Sequence, residues 1–435
     1  MSFLKTLYHK YKNSPILKRI ANGAFWSLTG VAMAKFLVLV AGIICARILG
    51  TAQFGELGIV RSTIGMFIVI GASGLGYTAN KYIAEYRAVG NTQKIVQIYN
   101  LTIVFGVLVG IVITLAVLLS SRYLADSVLD NPGLEVSIRL GAILLFMSIF
   151  NSVQNGVLSG FEEFKTIAIN TFISSVVEAL GIIVGAYAYG TEGAIVGYGV
   201  SFIVWAIINY FSIKKVFSSE NIPMRYSWLS REDIFIIWNF SIPAAMNTIM
   251  VVPAFWIIKT LLVNFCGYES LGIYEAADQW KVIILFVPGA IANILLPIFS
   301  NIQGAKNETS FAKTLNYSML INGGVALILF VMVFFCQHLI INFYGSGFED
   351  SSTLVVLCLS TVFSSIAQVM TLSLISKGMV WISFVFNFIW ALILIGSTYV
   401  MLINNVGVIA LAWANVIAYC IHCVLQFGYI KNVIR

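Results

Sequence analysis

The chain has 435 residues, is 60% hydrophobic and only 10% charged, and carries a net charge of +7. A soluble domain holds about 25% charged residues, so this composition excludes a water-soluble fold. It also excludes an outer-membrane barrel, whose strands would show as ~10-residue alternating segments. Apolar stretches of about 20 residues recur from end to end instead, each able to cross a hydrocarbon core.

In chain order, residues 1–19 carry Lys5, Lys10, Lys12, Lys18 and Arg19, with Phe3, Leu4, Leu7, Tyr8 and Tyr11 at helical spacing. This pattern predicts a basic amphipathic segment on the cytoplasmic membrane surface, with no cleavable signal peptide. Twelve membrane spans follow, at 20–46, 56–79, 95–120, 136–160, 166–190, 193–217, 234–263, 271–299, 314–344, 352–376, 379–403 and 406–430. Lysine and arginine gather in alternate connections, at Lys81, Arg87, Lys94, Lys165, Lys214, Lys215, Arg225, Arg231, Lys306, Lys313 and Lys377. The other connections hold mostly carboxylates, among them Asp126, Asp130, Glu192, Glu269 and Glu349. Basic loops stay in the cytoplasm, so both termini are expected there.

The longest polar connection, 218–233, separates a six-span lobe at 20–217 from a second at 234–430, with a cytoplasmic tail at 431–435. The lobes echo each other. Phe54-Gly55 matches Leu271-Gly272 at an offset of 217 residues, and Asn170 matches Asn387 at the same offset. "TEGAIVGYGVSF" from Thr191 parallels "NVGVIALAWANV" from Asn405. Paired repeats of this kind are a transporter signature, with the substrate site between the halves. The expected fold is therefore an all-α membrane protein of two pseudo-symmetric lobes around a central cavity, opening by alternating access.

Charges inside predicted spans carry most of the functional information. They include Lys35, Arg47, Arg61, Glu178, Lys259, Glu275, Asp278 and Lys281. A charged residue at a helix centre costs about 2.5–3.5 kcal/mol on insertion scales. These side chains are thus expected to line a wet cavity or to pair with one another. All but Glu178 fall on spans 1, 2, 7 and 8, the equivalent helices of the two halves. Lys35, Arg47, Arg61, Lys259 and Lys281 are candidate substrate-binding cations, and Glu178, Glu275 and Asp278 candidate gating or ion-pair carboxylates. At the 217-residue offset Arg61 corresponds to Asp278. The two are expected to pair as a latch when the outer side is shut, the alternative being Asp278 with Lys281 on its own helix face. Trp26, Tyr274 and Trp280 are candidate sugar contacts, and Pro243, Pro253 and Pro288 candidate hinges.

Nothing points to catalysis. No G-x-x-x-x-G-K-[ST] phosphate loop is present, and no outward loop is long enough to hide a catalytic domain. The six cysteines sit in or beside apolar runs, and Cys420, His422 and Cys423 read as core packing rather than a metal site. No cofactor is expected. Transport would draw on a gradient, with the proton or sodium as candidate coupling ion.

The twelve spans, the stretch "ANGAFWSLTGVAMAKFLVLVAGIICARILGTAQFGELGIV" and the glycine-marked "EGAIVGYGVSF" and "VGVIALAWANV" resemble polysaccharide-biosynthesis flippases, the group that includes O-antigen flippases. That group lies within the multidrug/oligosaccharidyl-lipid/polysaccharide exporter superfamily. The resemblance implies an undecaprenyl-diphosphate-linked oligosaccharide as cargo, moved to the periplasmic leaflet of a bacterial inner membrane. It also implies a polymerase and a ligase of the same glycan pathway as partners, and no nucleic acid. The five cations would hold diphosphate or acidic sugars. The runner-up is a cation-coupled multidrug exporter of the same superfamily, which would require an acidic pocket. Reporter fusions after Lys12, within 218–230 and after Lys431 should all give cytoplasmic signals. A periplasmic signal from the 218–230 fusion breaks the two-lobe arrangement.

Overall fold

A computed structural model describes residues 15–72, 74–225, 235–237, 241, 250–304 and 308–433. Among these residues all regular structure is helical: α1 (Pro15–Ala72), α2 (Leu75–Ala88), α3 (Thr92–Tyr123), α4 (Leu134–Gly160), α5 (Phe164–Ser219), α6 (Val251–Gly304), α7 (Glu308–Tyr344), α8 (Ser351–Ser376), α9 (Val380–Ile403) and α10 (Ile409–Val433). Nine helical stretches among the described residues are long and apolar enough to cross a bilayer. Helices satisfy every backbone N–H and C=O internally, which hydrocarbon demands. The protein is a multi-pass membrane protein. The expected amphipathic segment at 1–19 lies almost wholly outside the described residues, as does Pro243.

Three of the long helices are bent double. Gly50 breaks α1 at φ 74°, ψ 177°, and Gly267 breaks α6 at φ 78°, ψ 177°. α5 turns at Tyr189 and Gly190, the latter at φ 59°. A positive φ with extended ψ is open to glycine and to almost nothing else. Where hydropathy predicts short loops near 50, 190 and 267, one or two residues thus suffice to reverse the chain. Gly50 and Gly267 are 217 residues apart and share one conformation, so the sequence offset recurs in the backbone.

The offset recurs in packing as well. A Cβ on Gly55 would lie 2.1 Å from the Tyr268 carbonyl oxygen, and one on Gly272 would lie 2.1 Å from the Thr51 carbonyl oxygen. Tyr268 is the 217-residue equivalent of Thr51, as Gly272 is of Gly55. The contact is therefore reciprocal, and it joins the corner of α1 to the corner of α6 backbone to backbone. Within α5, Gly185 meets Gly193 and Gly181 meets Gly197 at similarly close range. These are two small-x-x-x-small faces closing a helical hairpin, the packing that hydrocarbon favours.

Other sequence expectations need correction. Residues 80–88 are not loop but the second half of α2, which buries Leu75, Ala79 and Ile83 against α3 and α4. Arg87 fixes its end, donating to the Phe161 carbonyl at 2.8 Å and to Glu220 at 2.5 Å. Neither described candidate proline interrupts the helical backbone of α6. Pro253 stands in the first turn of α6, where its missing N–H leaves no bond unmade. Pro288 lies in the second arm, yet the one non-helical residue inside α6 is Gly267. Asp350 caps α8, accepting from the amides of Ser352 at 2.9 Å and Thr353 at 3.2 Å. Burial pushes this carboxyl up, but hydrogen bonds from the Ser352 and Thr353 hydroxyls, joined by those from the amides, outweigh it and hold it below the usual carboxylate range.

The glycine contact predicts a stability difference. Gly55→Ala and Gly272→Ala should each lower the thermal unfolding midpoint of the purified protein, as overpacking by a methyl costs typically ~1–3 kcal/mol. Gly65→Ala, whose methyl meets nothing within 4 Å, should leave it unchanged. Equal midpoints for all three variants would remove the close approach.

Candidate functional site

A cavity of about 410 Å³ opens where both arms of α1 face both arms of α6, with α5 closing one side. Lys35 and Arg61 enter it from the two arms of α1, Lys259, Glu275 and Asp278 from α6, and Tyr198 from α5. The hairpin corners explain this convergence. Each corner folds a helix back on itself, so charges many residues apart in sequence arrive at one depth. The spacing of Glu275 and Asp278 sets both carboxylates on one helical face. Gly58 makes room for the first of them, since a Cβ there would meet the Glu275 side chain at 2.4 Å. Trp256 ties the walls together by donating from Nε1 to Thr63 Oγ1 at 2.9 Å.

On α6 the charges form a chain. Lys259 Nζ lies 2.8 Å from Glu275 Oε1 and 3.5 Å from Asp278 Oδ2, while Lys281 Nζ lies 3.2 Å from Asp278 Oδ1. Lys259 and Lys281 are both buried, and Lys281 sits 4.2 Å from the Phe255 ring centroid. Two cations meet two carboxylates, so this chain is neutral in itself. Buried charges cost several kcal/mol each unless paired in this way.

The other wall is different. Arg61 Nη2 donates to Glu178 Oε1 at 3.0 Å, and its guanidinium lies 4.6 Å from the Tyr198 ring centroid. Lys35 forms no ion pair among the described residues. The cluster thus holds four cations against three carboxylates, and the excess positive charge resides on Lys35.

Five of the eight sequence-selected charges line the cavity, and Glu178 and Lys281 stand behind it as partners. Arg47 does not belong to it. Its Nε donates to the Phe343 carbonyl at 2.6 Å and its Nη2 to that of Asn342 at 2.9 Å, which caps the C-terminal end of α7. The expected Arg61–Asp278 latch is absent from this structure, because Glu178 takes Arg61 while Lys259 and Lys281 take Asp278.

None of the three candidate sugar contacts reaches the cavity. Trp26 packs on Phe25, with Lys165 Nζ 5.1 Å from its ring centroid. Tyr274 is fully buried, and Trp280 points to the far side of α6 against Ile340, Ile341 and Tyr344. Sequence reasoning missed Tyr198, Gln279 and Ser62, all of them cavity-lining. A signal for Tyr198 existed: facing glycines 181/197 and 185/193 bring its turn beside that of Glu178.

The fold is that of MATE transporters. A solved structure titled as the inward-facing conformation of a multidrug resistance MATE family transporter of the MOP superfamily superposes with a TM-score of 0.79, covering 93% of this chain and 98% of that one at 16% identity. In sequence, the chain is 23% identical over 301 residues to the EPS I polysaccharide export inner membrane protein EpsE of Ralstonia nicotianae, covering 67% of this chain and 66% of that protein's length. It is 21% identical over 358 residues to a Shigella flexneri protein assigned as an O-antigen transporter, covering 80% of this chain and 83% of the relative. A lipid III flippase of Escherichia coli K12 is 18% identical over 293 residues, covering 67% and 69%. Residues 20–303 match the family described as polysaccharide biosynthesis protein. The chain belongs to that family.

Proposed function

We propose that the protein is a flippase for an undecaprenyl-diphosphate-linked oligosaccharide, carrying the repeat unit of an O-antigen or similar glycan across the bacterial inner membrane. On this reading the hairpins at Gly50, Gly190 and Gly267 count as two spans each. Residues 20–217 and 234–430 form two six-helix lobes, both termini are cytoplasmic, and the cavity opens to each leaflet in turn. The observation that carries the reading is the net positive cavity, lined by Arg61 and by a Lys35 that is unpaired among the described residues. A diphosphate brings about two negative charges, and an inside-negative potential favours its outward passage by ~2.3 kcal/mol per charge per 100 mV. The relatives named for polysaccharide export, O-antigen transport and lipid III flipping support the cargo class.

The second reading, a multidrug exporter, rests on the shared MATE fold. The charge balance disfavours it. A cationic drug would meet a lysine with no ion pair among the described residues, and both cavity carboxylates are already engaged by lysines.

Deletion in the host separates the two readings. Accumulation of a lipid-linked glycan on the cytoplasmic leaflet supports the flippase. Drug sensitivity with normal glycan display supports the exporter instead.

Variants should divide by position. Lys35→Ala and Arg61→Ala should reduce glycan export at least tenfold (about 1.4 kcal/mol) with protein abundance retained. Arg61→Lys should recover only part, because the bidentate fork is lost. Lys281→Ala should reduce abundance instead, as stripping a partner from a buried carboxylate costs about 3–5 kcal/mol. Normal export by both Lys35→Ala and Arg61→Ala at wild-type abundance would rule out an anion-binding cavity.

A further inference from the structure

Building on the diphosphate reading above, we propose that Glu178 is a resident counterion which the diphosphate of an isoprenyl-linked cargo displaces from Arg61. Glu178 then recaptures the arginine to release the cargo. Glu178 thereby acts as a positioning residue, through Arg61, on both capture and release.

The geometry separates this ion pair from the others. Lys259 is held by two carboxylates, and the side chains of Lys259 and Lys281 are only 9% and 6% exposed. Arg61 has one carboxylate, engaged through one nitrogen, and keeps 27% of its side chain exposed. A guanidinium has five N–H donors, so most of the fork is left for an incoming anion. A diphosphate can engage that fork with two oxygens, whereas Glu178 engages it with one. Glu178 is 15% exposed and stands behind the cavity wall, so the cargo meets the arginine before the glutamate. Tyr198 lies under the guanidinium and can hold it in place while its partner changes. Lys35, lining the same cavity without an ion pair among the described residues, supplies the charge that draws the anion in.

Exchange rather than simple binding follows from the need to let go. A bare Arg61 in one cavity with Lys35 would grip the diphosphate on both sides of the membrane alike. An internal carboxylate lowers affinity by the fraction of time it occupies the arginine, and it offers the arginine a partner as the cargo leaves. A pair that merely tied α1 to α5 would lose stability, binding and transport together on mutation.

The test uses the purified full chain in lipid nanodiscs, with farnesyl diphosphate as probe and farnesol as control. Glu178→Gln should bind farnesyl diphosphate about tenfold more tightly, release it more slowly, and export less glycan in cells. Glu178→Asp, which keeps the charge at shorter reach, should fall between Glu178→Gln and wild type. It also carries the test should the glutamine variant not fold. In an Arg61→Ala background the glutamine substitution should change nothing. Unchanged or weaker affinity in folded Glu178→Gln overturns the proposal, as does an equal gain without Arg61. If the wild-type chain binds the diphosphate no better than farnesol, the cargo reading itself falls, an outcome distinct from both.

Discussion

Where α1 and α6 double back, their backbones touch, and no side chain stands between Gly55 and Tyr268 or between Gly272 and Thr51. Helix axes ordinarily lie about 8–10 Å apart because side chains separate them. Removing the Cβ at two equivalent points lets the corners close on each other and draws the four arms together below. The rest of the centre depends on that approach. Gly58 comes to rest against Glu275, Trp256 reaches Thr63, and the α1 cations come to share a cavity with the α6 carboxylates.

What then fills the centre is governed by the cost of charge away from water. Each ion there must find a counterion or a wet surface. The α6 chain of Lys259, Glu275, Asp278 and Lys281 solves the problem internally and gives that wall a fixed, neutral scaffold. The α1 wall solves it only in part: Glu178 answers Arg61, and Lys35 lines the cavity with no counterion among the described residues. Two walls with the same backbone plan therefore do different work. One is balanced within itself; the other, among the described residues, is left short of an anion.

Much of this arrangement was legible in the sequence, for a definite reason. A lysine or glutamate in an apolar run violates the solvent so strongly that its position marks an interior, which is how Lys35, Arg61, Glu178, Lys259, Glu275, Asp278 and Lys281 stood out. Arg47 defeated the same logic because it lies one turn from a corner, where a guanidinium reaches the exposed carbonyls ending α7. The aromatics failed for want of phase. At about 100° per residue, Trp280 points well away from the face that carries Glu275, Asp278 and Gln279, while Tyr274 lies at the edge of that face, fully buried with Lys259 Nζ 5.7 Å from its ring centroid. Partner choice was the least legible, since hydropathy places a charge at a depth but does not say which neighbour lies at that depth. Glu178 rather than Asp278 is the mate of Arg61 because α5 packs along α1, while Asp278 is held by Lys259 and Lys281.

The 217-residue correspondence preserves the corner but not the charges. Gly42, Gly58 and Arg61 of the first half stand where the second half has Lys259, Glu275 and Asp278. A tandem of two first halves would keep the glycine contact and line its interior with Lys35, Arg61 and Glu178 twice over, two positive charges in excess. A tandem of two second halves would be strictly neutral and offer an anion nothing. Among the described residues, the one unanswered ammonium at the centre is therefore a property of unlike halves joined in one polypeptide, and no homodimer of either half could reproduce it.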